Sequence, residues 1–146
     1  MAEFTLRAAT QAEAGAIRDL IHEVGINPMA LDWRRFVAAV DAQGKMIGCG
    51  QLKPHGEVVE LASLAVVEEW RGRGVGRALM DHLMEAGPRP LYLMCRSGLG
   101  PLYEKFGFRA LEIQEMPRYF QRMAKLAELT GWLALSSEHL LVMKLK

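Results

Sequence analysis

The sequence predicts an α/β protein built on a mixed, mostly antiparallel central sheet with helices on both faces. Three observations carry that reading. The hydrophobic period switches along the chain between the helical 3.6 and the strand period of 2. Three successive strand-like runs are joined by turns too short for crossovers, so they pair as an antiparallel meander. The last of the three, Val58–Val67, is apolar at nearly every position and passes through a glycine-rich turn into an apolar helix. That is the opening of a βαβ unit whose strand is central and covered on both sides.

The elements follow in order. Glu3–Ala8 alternates weakly and reads as a strand. Thr10 with Glu13 forms a capping box, and a helix runs from about Gln11 to Val24 with Ala14, Ile17, Leu20, Ile21 and Val24 on one face. Gly25 ends it, and Asn27-Pro28 breaks the chain. Phe36–Val40 and Lys45–Leu52 are strands flanking the hairpin chemistry of Asp41-Ala-Gln-Gly44. A turn at Pro54-His55-Gly56 leads into Val58–Val67. A helix follows to about Ala86, with Val75, Leu79, Leu83 and Ala86 inward, and Gly87-Pro88 stops it. Pro90–Cys95 is a strand, Gly98–Phe106 a short helix closed by Gly107, and Phe108–Ile113 a strand. Pro117–Thr130 reads as a helix with Phe120, Met123, Ala124 and Ala127 on one side, and His139–Leu145 closes the sheet.

Composition bounds the function. At 146 residues the chain has the length of one domain, taken as residues 1–146, and can bury a core without disulfide or metal. Its 18 basic and 17 acidic residues give a net charge of +1, which creates no whole-molecule field for nucleic acid or an anionic membrane. Cys49 and Cys95 stand far apart, no CxxC or HExxH occurs, and the histidines are scattered, so no metal site is expected. The N-terminal residues lack an apolar signal region, and no apolar run is long enough for a membrane span. A cytoplasmic setting, where free thiols are ordinary, is the expectation.

The strongest chemical signal is Arg71-Gly-Arg-Gly-Val-Gly-Arg77, set between a strand and a helix. Its glycines allow a tight turn and a close approach of backbone N–H groups, and the helix start adds a positive dipole end. Together with three arginines and no acid, this is a compact anion site of pyrophosphate size. It is no P-loop, because no Lys-Ser/Thr follows, and its glycine spacing departs from GxGxxG.

The run Arg71-Gly72-Arg73-Gly74-Val75-Gly76 resembles the [Q/R]-x-x-G-x-[G/A] signature of the GNAT acetyltransferases, and Leu102-Tyr103-Glu-Lys-Phe-Gly-Phe108 resembles that family's helix carrying a tyrosine before Gly-Phe. The order of elements is similar across nearly the whole chain. The resemblance implies a GNAT-like sheet with splayed central strands and acetyl-coenzyme A as acetyl donor. It implies that Arg71, Gly72, Arg73, Gly74, Val75, Gly76 and Arg77 bind the pyrophosphate. Leu64, Ala65 and Val66 would pair with the pantetheine arm, and Tyr103 would protonate the departing thiolate. The reaction implied is direct transfer of acetyl from sulfur to a primary amine of a small molecule, amino acid or peptide. The alternative is a non-catalytic acyl-CoA-binding regulatory module.

An alkylammonium with a pKa near ~10.4 must lose a proton before it attacks. Glu60, the one acid in an apolar strand, is the candidate base, against a strand-end carboxylate facing water or an arginine. Strict alternation would put it on the face of Ala62, Leu64 and Val66. His55 is the reserve, against a solvated loop histidine. Where many similar proteins carry an Asn after this strand, Cys95-Arg-Ser-Gly-Leu-Gly-Pro101 has none, leaving Ser97 or the backbone to substitute. Candidate acceptor-pocket residues lie in Gly25–Arg35 and Met116–Glu138. They are Met29, Trp33, Tyr119 and Phe120, with Trp33 and Phe120 equally readable as core; Arg34 and Arg35 either hold an acceptor carboxylate or are simply solvated. The acceptor itself, the monomer or homodimer choice and the role of 116–138 stay open.

Overall fold

The computed structural model describes residues 3–131 and 137–146. The elements are β1 (Phe4–Ala8), α1 (Ala14–Val24), β2 (Phe36–Asp41), β3 (Met46–His55), β4 (Val58–Val66), α2 (Val75–Ala86), β5 (Leu91–Arg96), α3 (Gly100–Glu104), β6 (Arg109–Ala110), α4 (Arg118–Thr130) and β7 (Leu140–Leu145). Their order is the one the periodicities predict. The sheet runs β1-β2-β3-β4-β5-β7-β6. Its β1–β2, β2–β3, β5–β7 and β6–β7 pairings are antiparallel, and β4 meets β5 in parallel at Glu60 and Tyr92. The chain divides into two compact units: residues 1–53 with 61–87, and residues 54–60 with 88–146.

In the first unit, strand alternation sorts side chains between two helices. Phe36, Ala38 and Val40 of β2 pack with Ile17, Leu20 and Ile21 of α1, while Ala39 and Val37 pack with Val75 and Leu79 of α2. A register shift between Ala39 and Val40 skips Ile47 in β3. Such a bulge places two residues against one, so Met46 joins Cys49 on the α1 side while Ile47 faces α2. Gly48 and Gly50 form the floor under α2: a Cβ at Gly48 would lie 3.0 Å from Val75, and one at Gly50 only 2.7 Å from Leu83. α1 ends at Gly25 as predicted, but the Thr10–Glu13 capping box starts a 3-10 turn at Gln11–Glu13 and the α-helix itself begins only at Ala14. The Thr10 N–H donates to Glu13 Oε1 at 2.7 Å, and Gly25 closes the helix at φ +73°. In the hairpin turn, Asp41 Oδ1 accepts from the N–H groups of Gln43 and Lys45, both at 2.9 Å.

The second unit has its own core of Tyr92, Leu111, Phe120 and Val142, with Val58, Met94, Met116 and Tyr119 against it. Two expectations are corrected here and in α2. The strand foreseen over Phe108–Ile113 shrinks to Arg109–Ala110, because Glu112 and Glu115 form a capping box around a 3-10 turn that leaves Ile113 exposed. In α2 the buried set is Val75, Leu79, Met80 and Leu83, so Met80 takes the place assigned to Ala86. In the Met116–Glu138 segment, residues 132–136 lie outside the described residues.

Candidate active site

The glycine turn begins where β4 ends. A 3-10 turn at Glu68–Trp70 leads to Arg71, whose Nε donates to the Val66 carbonyl at 3.1 Å and ties the turn to the strand. Gly72 and Gly74 adopt φ +76° and +87°, and nothing lies within 4 Å of where a Cβ would stand on either. A side chain at those positions would be strained and would project into the space a ligand needs. Gly74 caps α2 without any side-chain hydrogen bond, so no capping side chain takes up the first-turn N–H groups. Val66, Trp70, Arg71, Gly72, Gly74, Val75, Gly76 and Arg77 line a pocket of about 410 Å³. A glycine turn, a helix N-terminus and arginine charge are the kind of donor set a pyrophosphate requires.

The three arginines are not equivalent. Arg73 lies 3.9 Å over the Trp70 ring and pairs with Glu3, so its charge is already engaged; Trp70 in turn packs edge-on against Phe4. Arg71 and Arg77 line the pocket.

Ser63, one residue before the Leu64–Val66 segment, has φ +59° in the middle of β4. Leu64 and Val66 pack with α2 while Ala65 faces α1. Around Ser63 sits a polar row that the sequence reading missed. The fully buried Gln51 donates its amide N–H groups to Ser63 Oγ at 2.9 Å and to the Ala30 carbonyl at 3.2 Å. The ammonium of Lys53, also buried, donates to the Met29 carbonyl at 3.2 Å. Polar side chains at alternate positions of an otherwise apolar strand were the available signal.

Glu60 is buried, and His55 Nε2 lies 2.8 Å from its Oε1. The His55 ring stacks on Tyr119 at 3.6 Å between centroids, with an interplanar angle of 12°, and Phe120 meets it edge-on. The loop position of His55 thus gives no solvated side chain: only 13% of it is exposed. Burial and the Glu60 charge push the Tyr119 phenol up, so it stays protonated at neutral pH. Tyr103, on α3, is half-buried; burial raises its phenol first and the Cys95 sulfur adds to this, so it too holds its proton. Cys95 is buried against Met143, and burial first, then Glu138, pushes its thiol up to about 11. Such a thiol supplies little thiolate for nucleophilic chemistry. Ser97 accepts the His139 N–H at 3.1 Å and so joins the start of the last strand.

The acceptor-wall residues divide. Met29 is 68% exposed and Tyr119 partly so, while Trp33 packs against the α1 core with Arg34 5.0 Å over its ring. Phe120 is fully buried among Tyr92 and Val142, which makes it core and corrects its place as a pocket wall. Arg34 pairs with Asp32 at the surface. Among the described residues there is no cluster of His, Cys, Asp and Glu that could hold a metal, and no helix long and apolar enough to cross a membrane.

The family described as the acetyltransferase (GNAT) domain matches residues 32–110, more than half the chain and including both β4 and the glycine turn. The chain belongs to the GNAT acetyltransferase family. It is similar to an uncharacterised N-acetyltransferase of Chlorobaculum tepidum, 31% identical over 93 residues, which are 60% of this chain and 57% of that protein's length. The GNAT fold is shared with the N-acetylglutamate synthase of Neisseria gonorrhoeae solved with coenzyme A and N-acetyl-glutamate, at a TM-score of 0.76, 24% identity, and coverage of 100% of this chain and 36% of that one. It is also shared with the ribosomal-protein-alanine N-acetyltransferase of Escherichia coli, at a TM-score of 0.69, 19% identity, and coverage of 97% and 92%.

Proposed function

We propose that residues 1–146 act as one acetyltransferase domain that moves acetyl from acetyl-coenzyme A directly to a primary amine of an amino acid, small molecule or peptide. The observation that carries this is the glycine turn: Gly72 and Gly74 with open space at their Cβ positions, the α2 N-terminus, and Arg71 and Arg77 around one pocket. Residues 71–77 hold the pyrophosphate, and Leu64, Ala65 and Val66 offer strand backbone to the pantetheine arm. The bound donor supplies an activated thioester. Glu60 takes the proton that an ammonium must lose, and Tyr103, protonated at neutral pH, gives one to the leaving thiolate. Met29, which is exposed, and Tyr119, which is partly so, are the candidate acceptor contacts. Two buried free thiols fit a reducing, cytoplasmic setting.

The test is release of free thiol from acetyl-coenzyme A with L-glutamate, a peptide bearing N-terminal alanine, and butylamine as acceptors, with an acetylated product identified by mass. Turnover on at least one is expected. Tight acetyl-coenzyme A binding in calorimetry with no turnover on any would favour the regulatory-module reading instead.

A further inference from the structure

A carboxylate with almost no exposure is costly unless it is paired and hydrogen-bonded. Glu60 is 4% exposed, and a ring nitrogen of His55 lies 2.8 Å from Oε1. The pair has the dimensions of a short, charge-assisted hydrogen bond. The histidine is also held. Its ring is sandwiched against Tyr119 and braced edge-on by Phe120, and Gly56 at φ +65° turns the chain immediately after it. His55 is the last residue of β3, and its imidazole is fixed by Glu60, Tyr119 and Phe120 together. Its side chain nonetheless keeps 13% exposure against 6% for Glu60, so solvent reaches the histidine more readily than the carboxylate.

We propose that His55 and Glu60 form one proton-relay pair, in which His55 orients the carboxylate and carries the acceptor's proton from it to solvent. This rests on the reading of Glu60 as base for an amine acceptor. The acceptor ammonium gives one proton to Glu60, and the carboxyl passes it to the neutral ring nitrogen, leaving carboxylate and imidazolium. The amine lone pair then forms the C–N bond as the C–S bond breaks, the thiolate takes the Tyr103 proton, and the new amide nitrogen loses its second proton to water. The imidazolium gives its proton to water, and Tyr103 regains one from water, so charge and protons balance over a turnover. His55 acts through Glu60 and is a positioning residue. The Tyr119 phenol, held protonated by burial and the Glu60 charge, supports the ring without competing for the proton.

The experiment uses His55→Ala, His55→Gln and Glu60→Gln in the full chain, with the amine that the wild type turns over fastest among L-glutamate, the alanine peptide and butylamine. His55→Ala is expected to lower kcat by about 100-fold, with the acetyl-coenzyme A Kd within twofold of wild type. Added imidazole is expected to restore at least fivefold of that rate, but nothing in the His55→Ala, Glu60→Gln double variant. His55→Gln keeps a donor near Glu60 and cannot carry a proton, so it is expected to lose rate as the alanine variant does while keeping Tm. Full rate in His55→Gln, or a loss in His55→Ala that imidazole does not touch, overturns the relay and leaves the transferase reading standing. Wild-type rate in Glu60→Gln overturns the base assignment and the relay with it. Absence of wild-type turnover on all three amines counts against the transferase reading itself.

Discussion

Arg7 and Glu13 meet as a fork on a fork: Nη1 donates to Oε1 at 2.9 Å and Nη2 to Oε2 at 2.6 Å, tying β1 to the entry of α1. The Arg7 hydrogen bonds first, then the Thr10 N–H, hold the Glu13 carboxyl down at about 2. A carboxylate depressed in the folded state stabilises fully above its unfolded pKa and loses that contribution as pH falls through the folded value. The wild-type Tm is therefore expected to fall from about pH 5 towards pH 2, and Glu13→Gln to be less stable at pH 7 with a flatter profile over that window. Thermal melts across the range check this, and parallel profiles would remove Glu13 from the acid response.

Tyr103→Phe keeps the ring and removes the proton. We expect kcat to drop more than tenfold with the acetyl-coenzyme A Kd nearly unchanged. Steady-state kinetics with calorimetry decides it, and equal turnover would end the acid assignment.

The arginines of the glycine turn should rank. Arg71→Ala and Arg77→Ala each remove a charge that lines the pocket and should weaken coenzyme A by about tenfold. Arg73→Ala removes one already spent on Trp70 and Glu3, so a change under about threefold is expected, with a lower Tm. Calorimetry of the three variants gives the order; the largest loss at Arg73 would reverse it.

Cys95→Ala should leave kcat and both KM values within about twofold. Its thiol is held up at about 11 by burial and by Glu138, and Cys49 at about 12 by burial alone, so neither is a ready nucleophile. An acetylated cysteine in intact-protein mass spectra after incubation with acetyl-coenzyme A would contradict this.

Gly50→Ala should destabilise by about 1–3 kcal/mol, because the added methyl meets Leu83 at 2.7 Å. The reading is a lowered midpoint in urea; an unchanged one would mean that α2 can shift.

Much of this was legible beforehand because the governing interactions are local. The Gly25 helix stop, the Asp41 turn and the Arg71–Arg77 turn each depend on residues close in sequence. What escaped depends on neighbours distant in the chain or on backbone conformation. No glycine at position 63 announces the left-handed backbone of Ser63. The Glu60–His55 pair depends on a turn closing β3 onto β4, and the grip on His55 comes from Tyr119, far along the chain. Arg73 was expected to serve the anion site, and only the folded N-terminus brings Glu3 to it. Phe120 fits a helix face from sequence, yet only the arrival of Tyr92 and Val142 makes that face interior.

Because Val75, Leu79 and Leu83 of α2 rest directly on the backbone at Gly48 and Gly50, the position of α2 is set by close contact with no strand side chain in between. The N–H groups at its start are therefore aimed before any anion arrives. The entropy of arranging them is settled when the protein folds, and donor capture becomes a preorganised event that leaves more of the binding energy to appear as affinity.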